Sequence, residues 1–267
     1  MRSVVVKETV ARQALGKCGL PGFSYSLNPY RGCEHGCVYC YSPCVLREKR
    51  PWGTFVDVKV NIPSVVSREI RRMRRGAIWI GSVTDAYQPV ERKYELTRRC
   101  LEQLAPYDPP VSILTKSSLC TRDFDLLQRF SDCELGFSFS CFDESVRKVM
   151  EPKTSPVTDR LRAASEAASA GLEPWGFIAP IVPGITTRSG EIERLIEAME
   201  KAGIRRVGFD ELRPRPCMWP RFSAFLGRYF PRLLPQMESM VRERRYVVEA
   251  ARRIEEVCNE LGLQLVV

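Results

Sequence analysis

The order of apolar and polar positions predicts strands alternating with helices over most of the chain. A first strand ends near Leu27-Asn28, and residues 54–60 alternate, with Phe55, Val56, Val58 and Val60 apolar. The short runs Ala77-Ile78-Trp79-Ile80-Gly81 and Val111-Ser112-Ile113-Leu114-Thr115 have the character of strands covered on both faces. Further strands are expected at 134–140, 175–181 and 206–209. Helices fall between them. One runs over 63–75, opened by Pro63 where the missing N–H is not needed and stopped by Gly76. Others are predicted over 90–104, 121–130 and 158–170, and over 189–202, where Ile192, Leu195, Ile196 and Met199 form one apolar stripe ended by Gly203. About six such alternations argue for a parallel sheet with right-handed crossovers, too few units to close an eight-stranded barrel. After Asp210 the pattern changes: the Arg213-Pro214-Arg215-Pro216 segment leads to a long helix over 237–261 and a short strand over 263–267. The chain thus divides into a lead-in without clear period (1–24), an α/β core (25–210) and a helical C-terminal extension (211–267). No linker composition sets the extension apart, so it is expected to pack on the open side of the core.

Composition narrows the class. The 267 residues are 44% apolar and 27% charged, as in an ordinary globular domain. No run of signal-peptide or membrane-spanning length is present, so a cytoplasmic location is expected. The eleven cysteines are mostly scattered singly, unlike a disulfide framework, and suit a reducing compartment. With one histidine, mechanisms that need a histidine base together with histidine metal ligands are excluded. The net charge of +9 comes mainly from arginine runs such as Arg71-Arg72-Met73-Arg74-Arg75. It implies either a nucleic-acid partner or a solvated arginine-rich surface, since glutamates interleave with several of the runs.

The chemistry-bearing stretch is Asn28-Pro29-Tyr30-Arg31-Gly32-Cys33-Glu34-His35-Gly36-Cys37-Val38-Tyr39-Cys40-Tyr41, with thiols spaced C-x3-C-x2-C. Gly32 and Gly36 let the backbone fold back between them. A four-iron four-sulfur cluster normally takes one cysteine per iron, so three cysteines leave one iron open to a non-protein ligand. The alternative is a non-catalytic zinc- or iron-sulfur-binding module, with Cys44 or His35 as a fourth ligand. Paired C-x2-C knuckles are absent.

This spacing, with an aromatic residue before the third cysteine, resembles the radical S-adenosylmethionine (radical SAM) superfamily, and its context is most similar to the spore photoproduct lyase-like branch. The resemblance covers most of residues 25–210. It implies a partial (β/α)6 TIM-like barrel and a [4Fe-4S] cluster on Cys33, Cys37 and Cys40. The open iron would be chelated by S-adenosyl-L-methionine, and an electron donor such as ferredoxin or flavodoxin would feed the cluster. Cys44 is then expected not to be a ligand, because a fourth thiolate would block the open position. Asp85, with Ser82 and Thr84, stands where the family binds the methionyl amino group; Asp85 is equally suited to cap the following turn. Lys116, in a Thr-Lys word at a strand end, corresponds to a lysine on the methionyl carboxylate. Ser138 and Ser140 share one face of their strand and can reach ribose or carboxylate. The Glu151-Pro152 word followed by Arg160 suits ribose positioning or a lock on the barrel rim. Ile181 lies on the strand that holds adenine in the family, and Tyr39 either shields the cluster or stacks near adenine. One departure matters. In spore photoproduct lyase a thiol at the second-strand end returns hydrogen to the product, but here Gly81-Ser82-Val83-Thr84-Asp85 has none. Cys120, Cys141 and Cys217 are the possible substitutes, with the alternation placing Cys141 away from the interior. A radical enzyme with a different substrate, nucleic acid among the candidates, is therefore expected.

Overall fold

The structure, a computed structural model, describes residues 3–266. These residues contain the strands β1 (Val5–Thr9), β2 (Leu15–Lys17), β3 (Tyr25–Leu27), β4 (Tyr30–Arg31), β5 (Phe55–Lys59), β6 (Ile78–Ile80), β7 (Val111–Thr115), β8 (Cys133–Phe139), β9 (Trp175–Ile181), β10 (Arg206–Glu211) and β11 (Gln264–Val266). β3 and β6 through β10 pair in parallel in sequence order. They number six, as the resemblance implied, but the strand expected at 54–60 is not among them: as β5 it pairs with β1 and β4 instead. An antiparallel β2 and a parallel β11 extend the six-stranded sheet at its two edges, which do not pair with each other, so the barrel stays open. β1, β5 and β4 form a separate small sheet. The lead-in is therefore ordered: β1 lies parallel to β5, and β2 hairpins onto β3.

The apolar strand runs are fully buried on one face and half-buried at several positions on the other. By register Ile78, Ile80, Ile113, Phe137, Phe139 and Ile178 share one face of the sheet and are inaccessible, whereas Trp79, Leu114 and Phe177 on the opposite face are half-buried. Four helices differ from expectation, among them the one at 121–130, which is a 3-10 stretch over Ser118–Asp123 followed by a single turn over Phe124–Leu127. The first ends at Glu69 and tightens into a 3-10 turn over Ile70–Arg72. The second is split at Glu95, which adopts φ 49°, into Glu91–Tyr94 and Leu96–Leu104. The long C-terminal helix is likewise two, Leu234–Glu243 and Arg245–Glu260, because Arg244 turns left-handed at φ 58°. Periodicity sees the apolar stripe on each side of such a break and not the single reversed residue.

The extension packs on the core, with one helix that the apolar pattern did not reveal, Trp219–Tyr229. Its Phe222, Phe225 and Leu226 enter an apolar cluster with Val146, Met150, Val182 and Met237, against which Val38 and Tyr39 of the cysteine loop also pack. Tyr246, Ala250, Ile254 and Cys258 recur every four residues and bury the last helix. Cys44 and Cys217 form a disulfide, Cα atoms 5.6 Å apart, which ties the extension to the helical turn after the cysteine loop. One bridge among eleven cysteines is no disulfide framework, and a separation of 173 residues leaves no local signal of it.

Gly32 shows how tightly the loop enters. Its φ is +91°, and an added Cβ would lie 2.5 Å from the Phe55 carbonyl oxygen. Gly32→Ala is expected to destabilise the fold by about 2 kcal/mol or more, from left-handed strain and overpacking together. Urea unfolding measures this, and an unchanged midpoint would show that the loop is free to move off β5.

Candidate active site

The segment Gly32 to Tyr41 leaves β4 and is held by backbone contacts before any thiol is engaged. The Gly32 carbonyl accepts from Thr84 Oγ1 at 2.6 Å and Gln88 Nε2 at 3.3 Å, and the Glu34 N–H donates to Gln88 Oε1 at 2.9 Å. The Glu34 carboxylate accepts from the Val90 N–H. Farther along, the Val38 N–H donates to the Met150 carbonyl at 3.0 Å. Arg221 donates to the Val38 and Cys40 carbonyls at 3.1 and 3.0 Å. The loop is thus pinned by the segment after β6, by the Glu144–Met150 helix and by the extension.

Cys33, Cys37 and Cys40 line one cavity of about 160 Å³ at the C-terminal ends of the barrel strands, where such folds place their chemistry. Burial, with Asp85 and the other two thiols adding to it, pushes the Cys33 thiol well up; burial and Glu151 do the same to Cys37. Such thiols stay protonated until a cation binds them, as metal ligands do.

The charged groups around the cavity are ordered in layers. Asp85 is closely held: Oδ1 accepts from the Tyr87 N–H and Thr115 Oγ1, Oδ2 accepts from the Lys116 N–H at 2.8 Å, and His35 Nδ1 lies 3.4 Å from Oδ2. Burial pushes this carboxyl up, but His35 and the donors outweigh it and hold it at about 2. Beneath the thiols, the inaccessible Glu151 and Arg160 pair at 3.1 Å. Glu151 also takes the Tyr39 hydroxyl, and Arg160 also donates to the Ser138 carbonyl. Burial raises the Glu151 carboxyl, yet Arg160, Lys116 and Tyr39 leave it below its ordinary value. Lys116 differs from these. Its ammonium donates to Ser138 Oγ at 2.7 Å and, among the described residues, has no acid within ion-pair distance.

Of the residues singled out from the sequence, Tyr39, Ser82, Thr84, Asp85, Lys116 and Ser138 line the cavity with the three thiols. Ser140 lies one residue past β8, with its carbonyl accepting from Thr186, and Ile181 is wholly buried; neither lines the cavity. Asp85 shows the turn-capping contact that was one of its two sequence readings, its Oδ1 accepting from the Tyr87 N–H. Three protein donors and His35 meet its carboxylate, so it anchors the loop while lining the cavity. Thr84 is likewise an anchor, and Ser82 Oγ accepts from Asn28. Glu151 and Arg160 form the lock that was one of their two sequence readings. Gln88, Trp52 and Arg221 were missed. Trp52 lines the cavity from a turn, and Arg221 reaches the loop from 181 residues away. No spacing or period marks either one.

The donor set fits an iron-sulfur cluster. No three His, Cys, Asp or Glu side chains among the described residues converge as closely as one ion requires, whereas a cluster offers a separate iron to each thiol. Cys44 is withdrawn by its bond to Cys217, which removes one of the two candidates for a fourth zinc ligand.

Comparisons with known proteins agree with the geometry. The family model "Radical SAM superfamily" matches residues 27–197. An uncharacterised protein of Methanocaldococcus jannaschii is 34% identical over 177 residues, 66% of this chain and 67% of its own length. The radical SAM Nalpha-GlyT isomerase of Pseudomonas phage M6 is 26% identical over 196 residues, 72% of this chain and 40% of the relative. Among solved structures, a spore photoproduct lyase mutant with bound AdoMet and dinucleoside spore photoproduct superposes with a TM-score of 0.66. It is 19% identical, and the match covers 84% of this chain and 66% of that one. The chain belongs to the radical SAM superfamily, whose cofactors are a [4Fe-4S] cluster and S-adenosylmethionine.

Proposed function

We propose that the protein cleaves S-adenosylmethionine reductively and removes a hydrogen atom from a nucleoside-containing substrate, without a protein thiol returning hydrogen to the product. The observation that carries the cofactor half is the placement of Lys116, a cation with no acid partner, on the same cavity as three cysteines. When bound, the cluster supplies one electron that breaks the S-adenosylmethionine sulfur–carbon bond, leaving methionine and a 5′-deoxyadenosyl radical that takes hydrogen from the substrate. The chain's residues bind and orient. Cys33, Cys37 and Cys40 would hold the cluster. The Lys116 ammonium would meet the methionyl carboxylate, with Ser138 orienting the ammonium and the Tyr39 ring walling the site. The Glu151–Arg160 pair keeps Tyr39 and the β8 backbone in place beneath them.

The absence of a returning thiol rests on where the other cysteines lie. Cys33, Cys37 and Cys40 are the cysteines lining the cavity among the described residues. Cys120 is buried with its Sγ against the Ser117 carbonyl, Cys141 faces the second apolar cluster, and Cys217 is bonded to Cys44. Either 5′-deoxyadenosine gives the hydrogen back, as an isomerisation would need, or S-adenosylmethionine is consumed in each turnover. A nucleoside-containing substrate is supported by the dinucleoside in the solved structure and by the net charge of +9.

After anaerobic reconstitution, dithionite and S-adenosylmethionine should yield 5′-deoxyadenosine from protein carrying about four irons per chain. Loaded protein that yields none would refute the enzymatic reading. Lys116→Ala should keep its iron and weaken S-adenosylmethionine binding about tenfold or more, the worth of one charge-assisted contact. Cys37→Ala should lose the cluster. Equal loss of iron in both variants would make Lys116 a structural residue. Dinucleoside spore photoproduct should not be turned over to two thymidines, and turnover detected by chromatography would contradict the thiol-free reading.

A further inference from the structure

Arg221 stands out when every arginine is sorted by burial and partner. Among the described residues each other buried or half-buried arginine is ion-paired with an acid, from Arg31 with Glu48 to Arg160 with Glu151 and Arg253 with Glu193. Arg221 is half-buried and has no carboxylate within ion-pair distance. Its guanidinium instead grips the loop on both sides of Tyr39, through the Val38 and Cys40 carbonyls. An unpaired cation withdrawn from water is unfavourable unless an anion answers it. The groups here that become anionic are Cys37 and Cys40, once their thiols ligate iron.

We propose that Arg221 is a positioning residue whose counter-ion is the thiolate-ligated cluster, and that it raises the cluster's reduction potential. The proposal rests on the cluster reading above and assigns the extension a part in the cofactor site. Reduction adds one negative charge to a centre that is already anionic. A fixed cation beside it stabilises the reduced form more than the oxidised form, and net charge and hydrogen bonding are among the factors that set such potentials. The two carbonyl contacts also hold the Cys37 to Cys40 turn, so the charge stays at a fixed place relative to two of the three ligands.

The test is a potentiometric titration of the reconstituted wild-type protein, Arg221→Lys and Arg221→Met, followed by the electron paramagnetic resonance of the reduced cluster, with iron determined for each. Wild-type protein without a reducible cluster would refute the cluster reading itself, independently of Arg221. Given that cluster, Arg221→Met at full iron content should titrate at a more negative potential than the wild type, and Arg221→Lys, which keeps the charge, should return most of the shift. Equal potentials in all three would overturn the proposal. So would equal loss of iron from both variants, since the guanidinium would then serve only as a clamp on the loop.

Discussion

Three thiols within eight residues serve one cluster only if the backbone between them is held in shape by something other than the metal. Here that constraint is met by donors and acceptors that are not ligands. Gly32 turns left-handed under the Phe55 carbonyl, and Thr84 and Gln88 close on its oxygen. Asp85, held by three donors and beside His35, fastens the entry of the loop to the ends of β6 and β7. These contacts are buried, where a satisfied network is rigid and a half-satisfied one is costly. The three-cysteine loop and the strand ends therefore form one unit around the cavity.

Charge is arranged around that cavity with the same economy. The Glu151–Arg160 pair beneath it adds little net stability as a pair, but removing one partner would strand the other at a cost of about 3–5 kcal/mol. Its service is to hold Tyr39 and the β8 backbone. Lys116 and Arg221 lack acid partners and approach the thiols from different sides, one from β7 and one from the extension. A site with three thiols and two cations that form no ion pair among the described residues suits an anionic cluster together with a carboxylate-bearing ligand.

The core was legible in the sequence because its signals are local. Each buried parallel strand is a short apolar run, and Gly32 and Gly36 take the positive φ their positions suggested. The cysteine spacing carried the site, and Lys116 and Ser138 were readable because a residue at a barrel strand end points into the cavity. What stayed illegible is long-range or reversed in sense. Which of its two readings Asp85 takes depends on contacts from three separate segments, at His35, Tyr87 and Thr115-Lys116. Arg221 and the Cys44–Cys217 bridge join the two ends of the chain. The breaks at Glu95 and Arg244 each turn on one left-handed residue inside an otherwise helical pattern.

If three protein thiolates leave one iron open and S-adenosylmethionine occupies it, the methionyl amino and carboxylate groups must lie within bonding distance of the cluster. Electron-nuclear double resonance on the reduced cluster, with S-adenosylmethionine carrying nitrogen-15 in its amino group and oxygen-17 in its carboxylate, tests this directly. Hyperfine coupling from both labels to the cluster is the expected result. Coupling from neither, in protein shown to bind the labelled compound, would contradict the open-iron site.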